Sequence, residues 1–211
     1  MKVVIISGGK EPSEKLLMDE LKNCDFLICA DSGANCLYKY RIKPNILLGD
    51  FDSISKEAFE YFKNNCINVF KYPKEKDFTD TELALSEALK LDVNEVVFLG
   101  CTGTRLDHLF GNMGLLLRCN KRGIKACIKD DNNTIFIIDK TSVLEGKKGE
   151  MFSIQAYMNE VKNLSIEGAK YPLLDYNLKF GDPRTISNEF LDVSVKITFE
   201  KGYVIVFKSR D

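Results

Sequence analysis

Apolar positions along this chain follow two regimes. Up to about Lys129, short β-rich apolar runs alternate with helical stretches, which predicts a parallel sheet flanked by helices. The candidate strands are Val3 to Ser7, Phe26 to Asp31, Ile46 to Gly49, Val69 to Tyr72, Val96 to Gly100 and Ala126 to Lys129. The helical period is clearest over Asp80 to Lys90, where Thr79 and Glu82 have the spacing of a capping box and Leu83, Leu85, Ala88 and Leu89 supply an apolar side. A second helix runs from about Leu106 to Arg122, and Gly123 stops it. Ligands of open α/β sheets bind beyond the carboxyl ends of the strands. Gly8, Gly9, Asp31, Asp50 and Gly100 all fall at such ends.

After Asn133 the helical period disappears. Strand-like pieces follow at Thr134 to Ile138, Met151 to Tyr157, Leu164 to Glu167, Leu191 to Phe199 and Tyr203 to Lys208. Between Asp192 and Phe199 the alternation is clean, with Val193, Val195, Ile197 and Phe199 on one face, as in a half-buried antiparallel strand. A small all-β domain is expected, a sandwich or small barrel of about five to seven strands. The stretch Tyr171 to Glu189, with Pro172, Gly181 and Pro183, is long for a structureless connection and marks a functional segment or a partner surface. No internal repeat or low-complexity segment is present.

Composition narrows the function classes. With 211 residues, 45% hydrophobic and 29% charged, the chain can bury a sizeable core in one large domain or two small ones. The net charge of -1 and the dispersal of Lys and Arg leave no basic surplus, so no nucleic-acid partner is expected. The cysteines, Cys24, Cys29, Cys36, Cys66, Cys101, Cys119 and Cys127, are odd in number, form no C-x-x-C pair and lie mostly in apolar runs. They read as reduced buried thiols, not as a disulfide framework or a zinc site. Met1 to Ser7 reaches Gly8 and Gly9 too soon for a signal peptide, and no apolar run approaches the roughly 18 residues that span a bilayer. A cytoplasmic location with no membrane association is the expectation.

The candidate chemistry lies in three clusters, which together hold five carboxylates: Gly49 to Ser53 with Asp50 and Asp52, Lys76 to Asp80 with Asp77 and Asp80, and Arg105 to His108 with Asp107. Carboxylates gathered in one cleft repel each other by roughly 4 kcal/mol per close pair at an effective dielectric near 20. A bound cation makes the gathering favourable, and one or two carboxylates completed by water and substrate phosphates are the usual holders of magnesium. In an extended backbone Asp50 and Asp52 share one side and reach one cation; the competing reading is a turn leading to a helix cap. Asp77 and Asp80 flank Thr79, where the helix dipole favours acids even without a function. Lys74 and Lys76 nearby tip the balance, as groups able to neutralise phosphate oxygens. The third cluster, Gly100 to Asn112, is a glycine-bearing loop entering a helix, suited to phosphate through backbone amides and a bidentate Arg105. His108 is either a catalyst or a hydrogen-bonded structural residue, and Asn112, four residues on, shares its helical face as a supporting group. Neither G-x-x-x-x-G-K-[ST] nor a strand-coupled G-x-G-x-x-G is present, which disfavours a P-loop kinase and an ordinary dinucleotide site.

With A-D-S-G-A at Ala30 to Ala34, G-D-F-D-S at Gly49 to Ser53, K-D-x-T-D at Lys76 to Asp80, G-x-x-G-x-R-x-D-H-x-x-x-N at Gly100 to Asn112 and Ser187-Asn188-Glu189-Phe190, the chain resembles the thiamine pyrophosphokinase family over nearly its whole length. That resemblance implies an α/β fold: an N-terminal parallel-sheet ATP-binding catalytic domain over residues 1–132, then a small C-terminal all-β sandwich that binds thiamine over 133–211. It also implies a homodimer. The implied reaction transfers the diphosphoryl group of ATP, as co-substrate, to the hydroxyethyl oxygen of thiamine with release of AMP, using Mg2+. By the same resemblance Asp50, Asp52 and Asp80 are the magnesium-linked carboxylates, with Asp77 a helper. Thr79 and Arg105 contact the triphosphate, Asp31, Lys76, His108 and Asn112 belong to the nucleotide site, and Asp107 lies where the alcohol meets it. Ser187 and Asn188 reach thiamine in a cleft at the dimer interface. Mammalian members stack a tryptophan on thiamine; this chain has none, which leaves Tyr or Phe for that role. Three rivals remain open: a diphosphokinase acting on another primary alcohol such as 6-hydroxymethyl-dihydropterin, a non-catalytic sensor, and a metal-dependent phosphohydrolase.

Overall fold

A computed structural model describes residues 1–65 and 68–210. Cys66, one of the expected buried thiols, lies outside the described residues. The chain divides into two compact units, Met1–Asp131 and Asn132–Asp211.

In the first unit, β1 (Lys2–Ile6), β2 (Phe26–Ala30), β3 (Ile46–Gly49), β4 (Asn68–Lys71), β5 (Glu95–Leu99) and β6 (Lys125–Lys129) alternate with helices. Those helices are α1 (Glu14–Leu21), α2 (Gly33–Lys39), α3 (Lys56–Asn64), α4 (Asp80–Ala88) and α5 (Leu106–Asn120). The strands are all parallel in the order β4-β3-β2-β1-β5-β6. The chain builds outward from β1 to β4 and then returns to the other side with β5, so β1 and β5 flank the point where strand order reverses. Strands β1, β2 and β5 are buried along nearly their whole length, as expected where helices cover both faces and the sequence is continuously apolar. Alternate residues serve opposite faces. Val4, Ile6, Leu27, Cys29, Leu47, Val97 and Leu99 join Leu17 of α1, Leu37 of α2 and Phe62 of α3 in one core cluster. Helix α4 packs across β1, β2 and β3.

Side-chain caps set several helix starts. Ser13 Oγ accepts from Leu16 N at 3.3 Å, Ser55 Oγ from Ala58 N at 3.2 Å and Thr79 Oγ1 from Glu82 N at 3.2 Å. Only the forward half of the expected capping box forms at α4, because the Glu82 carboxylate pairs with Arg118 of α5 at 3.4 Å. α4 and α5 each end two residues before the sequence-based limits, at Ala88 and Asn120, because the last turn tightens: Leu91 N donates to Ala88 O and Gly123 N to Asn120 O. Among the described cysteines, Cys29, Cys36, Cys101 and Cys119 are buried and Cys24 and Cys127 half-buried, all as free thiols. No helix among the described residues is long and apolar enough to cross a membrane.

The second unit is antiparallel throughout: β7 (Asn133–Ile138), β8 (Ser142–Glu145), β9 (Met151–Glu167), β10 (Leu173–Leu178), β11 (Asn188–Glu189), β12 (Ser194–Thr198) and β13 (Lys201–Ser209), with a 3-10 turn at Pro183–Thr185. The order is β7-β13-β9-β12-β8, and β10 and β11 also pair with β9. The pieces expected separately at Met151 to Tyr157 and Leu164 to Glu167 are one strand of 17 residues. Its first half pairs with β13 and β11, its second with β12 and β10. Between them Met158 takes a left-handed φ of 66° and the β13 register shifts, so β9 bends where the polar residues Asn159 and Glu160 interrupt the apolar pattern. The strand expected at Leu191 to Phe199 is shorter. Val195 and Ile197 are buried, whereas Val193 is 64% exposed because it precedes the strand. The stretch 171–189 carries β10, the 3-10 turn and β11, and β8 was not foreseen. The core gathers Phe152, Ile154, Val161, Leu164, Ile166, Phe190, Val195, Ile197, Val204 and Val206, with Phe152 and Phe190 in edge contact at 5.0 Å.

A polar pin supplements the apolar core of the first unit. Glu20 of α1 is 8% exposed and receives Lys2 Nζ at 2.8 Å and Lys129 Nζ at 2.6 Å, which ties α1 to β1 and β6. Burial opposes ionisation of Glu20 most strongly, but the two ammonium groups together hold its carboxyl below the ordinary glutamate value. A carboxyl lowered in the folded state contributes stability above its unfolded pKa and loses it as pH falls through the folded one. Glu20→Gln should therefore cost about 1–2 kcal/mol near neutral pH. In urea titrations the gap between the two proteins should close as pH falls through the lowered native pKa; a gap independent of pH would reject the ionic account.

Candidate active site

Parallel register brings the acids together. Ala30 of β2 pairs with Leu48 of β3, so Asp31 and the Gly49-Asp50 step leave the sheet side by side. Gly49, at φ 145°, permits this approach: a Cβ there would lie 3.0 Å from the Asp31 Cβ. Asp31 itself has φ 45° and Phe51 φ 67°, left-handed conformations that cost non-glycine residues energy and concentrate at functional sites. The Asp31 carboxylate holds the turn by accepting from Phe51 N at 3.1 Å, and Asp50 Oδ1 accepts from Asp52 N at 3.0 Å. The route by which Asp50 and Asp52 share a site thus differs from expectation. The backbone between them is a turn with a left-handed Phe51, not an extended segment, and Asp50 curls onto the Asp52 amide.

Ligating oxygens of Asp31, Asp50 and Asp52 all lie within 4.8 Å of one another. Asp80 joins from the start of α4: Lys76 Nζ is 3.1 Å from Asp80 Oδ1 and 3.8 Å from Asp50 Oδ2, bridging the two clusters. At 3.1 Å this contact is an ion pair whose angles fall outside hydrogen-bonding geometry, and the buried Asp80 Oδ1 carries no hydrogen bond. Asp52 pairs with Lys74 at 2.6 Å, and that contact, with the Ser53 hydroxyl, holds its carboxyl below the ordinary range. Burial, then the charges of Asp80 and Asp50, push the Asp31 carboxyl up. Lys74 and Lys76, expected to face phosphate, are here engaged with carboxylates, and the four acids exceed the two ammonium groups. An all-oxygen set with excess negative charge and a buried oxygen lacking a hydrogen bond fits a hard divalent cation such as magnesium.

Other expected site residues are placed differently. Asp77 is exposed, and no hydrogen bond or ion pair of its side chain occurs among the described residues. Thr79 is exposed and spends its hydroxyl on the helix cap. Arg105 and Asp107, both exposed, meet each other through Nε–Oδ1 at 3.3 Å and Nη2–Oδ2 at 2.6 Å, so the guanidinium fork foreseen for phosphate is turned onto Asp107. His108 is exposed on the first turn of α5. Asn112 is 8% exposed, and its Nδ2 donates to Cys101 O at 3.0 Å, which fastens the Gly100 loop to α5. In the second unit Ser187 is exposed with φ 57°, its N–H donating to Ser153 Oγ at 2.9 Å. Asn188 is 2% exposed and clasps the backbone of Tyr171, accepting from its N–H at 3.0 Å and donating to its carbonyl at 2.8 Å.

Sequence reasoning placed Asp31 in the nucleotide site but missed its carboxylate as a partner of the Asp50 and Asp52 pair. The signal was available in the strand ends: adjacent parallel strands of similar register deliver their next residues to one spot. It also missed a buried hydroxyl contact between Ser7 and Thr81 at 2.9 Å, which no motif announces.

Comparisons with known proteins agree along the whole chain. Residues 17–128 match the family model described as thiamin pyrophosphokinase, catalytic domain, and residues 136–204 the one described as thiamin pyrophosphokinase, vitamin B1 binding domain. Thiamine pyrophosphokinase of Bacillus subtilis (strain 168) is 30% identical over 209 residues, covering 98% of each chain. The crystal structure of thiamine pyrophosphokinase from Bacillus subtilis has a TM-score of 0.90 at 28% identity, and that of thiamin pyrophosphokinase from Geobacillus thermodenitrificans 0.86 at 29%. Both comparisons cover all of this chain, with 100% and 98% of the respective relatives. The Candida albicans thiamin pyrophosphokinase, at 16% identity and a TM-score of 0.85 over 99% of this chain and 90% of its own, shares the fold. With two family models matched in order and a full-length relative at that identity, this chain belongs to the thiamine pyrophosphokinase family.

Proposed function

We infer that the first unit binds ATP with magnesium at Asp31, Asp50, Asp52 and Asp80, and that the second unit, read as a β-sandwich, recognises thiamine. The activity is the ATP-dependent formation of thiamine diphosphate. One observation carries the site assignment: three carboxylates converge within 4.8 Å, while a fourth, Asp80, is linked to them through Lys76.

Magnesium held by Asp31, Asp50, Asp52 and Asp80 would neutralise the charge that develops on the transferred phosphate groups. The chain's own residues do the positioning. Lys76 keeps Asp50 and Asp80 facing one another, and Lys74 steadies Asp52. Arg105 exchanges the exposed Asp107 carboxylate for phosphate oxygens when ATP arrives, and the freed Asp107 turns to the alcohol. Thr79 and the start of α4 present backbone amides toward negative charge. Thiamine's hydroxyethyl oxygen attacks the β-phosphorus, a new P–O bond forms, the bond from the β-phosphorus to the α–β bridging oxygen breaks, and AMP departs. The alcohol proton leaves to solvent or to a nearby carboxylate. Phosphoryl transition states are loose, so alignment and charge neutralisation outweigh a strong base. Ser187 is assigned to thiamine contact, and Asn188 to holding Ser187 and Tyr171 in place. Asp77 and His108 border the site as polar helpers, Asn112 holds its loop, and the working form is a cytoplasmic homodimer.

Two measurements test this. Incubation with ATP, magnesium and thiamine should yield AMP and thiamine diphosphate in equal amounts, with neither formed when thiamine is omitted. AMP released without thiamine would mean hydrolysis, and turnover with a hydroxymethyl-pterin alone would reassign the acceptor. Asp52→Asn should keep the wild-type melting temperature and lose activity by about a hundredfold or more at saturating magnesium. Activity within about threefold of wild type would remove Asp52 from the metal site.

A further inference from the structure

The three clusters stand on different elements, and what keeps those elements in register lies beneath them. Ser7, 8% exposed, follows β1, and Thr81, 9% exposed, is the second residue of α4. Their hydroxyl oxygens are 2.9 Å apart, and either can donate. Among the described residues this is the one side-chain hydrogen bond between α4 and the end of β1. Ser7 is itself held firmly. Its N–H donates to Leu99 O at 2.9 Å, and its carbonyl packs so tightly under Gly100 that a Cβ there would come within 2.1 Å. Cys101, next in the chain and 4% exposed, gives its carbonyl to Asn112. A buried polar path therefore runs from α4 through the end of β1 and the loop after β5 to α5.

The exposed Thr79 cap cannot perform this task. It bonds to Glu82 N within its own helix, so it sets the dihedrals of the first turn and attaches that turn to nothing else. Ala84, Leu85 and Ala88 bury against the sheet, but apolar contact is non-directional and tolerates sliding. A hydrogen bond between two buried hydroxyls constrains both distance and angle, which apolar contact does not. Asp80 immediately precedes Thr81, so any slide of the first turn moves its carboxylate away from Lys76, now at 3.1 Å.

We propose that Ser7 and Thr81 are positioning residues for diphosphoryl transfer: their hydroxyl pair locks the first turn of α4 to β1 and thereby aims the Asp80 carboxylate at the magnesium site. Neither residue touches substrate; both act through Asp80. The inference rests on the reading of Asp80 as a magnesium-linked carboxylate.

The experiment compares wild type, Thr81→Val, Thr81→Ser and Asp80→Asn in the full chain. It reads the magnesium concentration for half-maximal thiamine diphosphate formation, kcat at saturating magnesium, and melting temperature. Thr81→Val keeps the shape and removes the hydroxyl, so its half-saturating magnesium should rise about tenfold, while Thr81→Ser stays within about threefold of wild type. A merely structural role would lower the melting temperature and leave the magnesium requirement unchanged. If Thr81→Val fails to fold, Ser7→Ala tests the pair from its other side by the same readout and expectation. A wild-type magnesium requirement in the variant measured, alongside an altered one in Asp80→Asn, overturns this inference alone. An unaltered requirement in Asp80→Asn overturns the metal reading of Asp80 and this inference with it.

Discussion

A parallel sheet delivers the carboxyl ends of its strands to one edge, and in this chain that constraint places like charges against one another. Asp31 leaves β2 beside the Gly49-Asp50 step that leaves β3, and α4 adds Asp80. Coulomb repulsion would scatter such a group, and three features resist it. Lys76 and Lys74 offset part of the charge. Backbone amides of Phe51 and Asp52 bond to carboxylate oxygens. The packed strands leave the backbone little room to relax. Burial first, and then the surplus charge of Asp80 and Asp50, raises the Asp31 carboxyl, and a buried Asp80 oxygen lacks a hydrogen bond. On the proposed reading of the site, a cation would relieve this tension, and the acids that would hold it are brought together in folding and not at each binding event.

The same economy governs the backbone. Left-handed Asp31 and Phe51 are individually unfavourable, at about 1–3 kcal/mol each, and persist because the sheet below and the Asp31 to Phe51 hydrogen bond overdetermine them. In the second unit a single strand is asked to serve two sets of partners. β9 meets that demand by bending at Met158, and its first half then carries the pegs for the segment before β11: Ile154 O receives Thr185 Oγ1 at 2.6 Å and Ser153 Oγ receives Ser187 N. The exposed Ser187 lies in irregular chain, yet its N–H is tied to Ser153 of β9, so a loop residue takes its position from a packed strand.

Much of this was legible in the residues themselves. Continuous apolar runs marked the buried parallel strands because both faces of such strands need apolar side chains. Thr79 marked the start of α4, since a hydroxyl at that place relieves an unsatisfied amide whatever the surroundings. The aspartate clusters were visible because few other arrangements justify so many acids at strand ends. The second unit was harder to read. β9 appeared as two strands because its bend carries polar residues, and Val193 appeared buried because the alternation begins before β12 does.

Local sequence therefore determined the element types, the helix starts and the inventory of acids, since each depends on neighbours a few residues away. Tertiary structure alone decided which acids meet, that the lysines answer carboxylates, that Arg105 folds onto Asp107, and that Ser7 finds Thr81 across 74 residues of chain. Those outcomes depend on strand register and helix placement, which are set by packing over the whole unit, and a contact between residues far apart in sequence leaves no local period to be read.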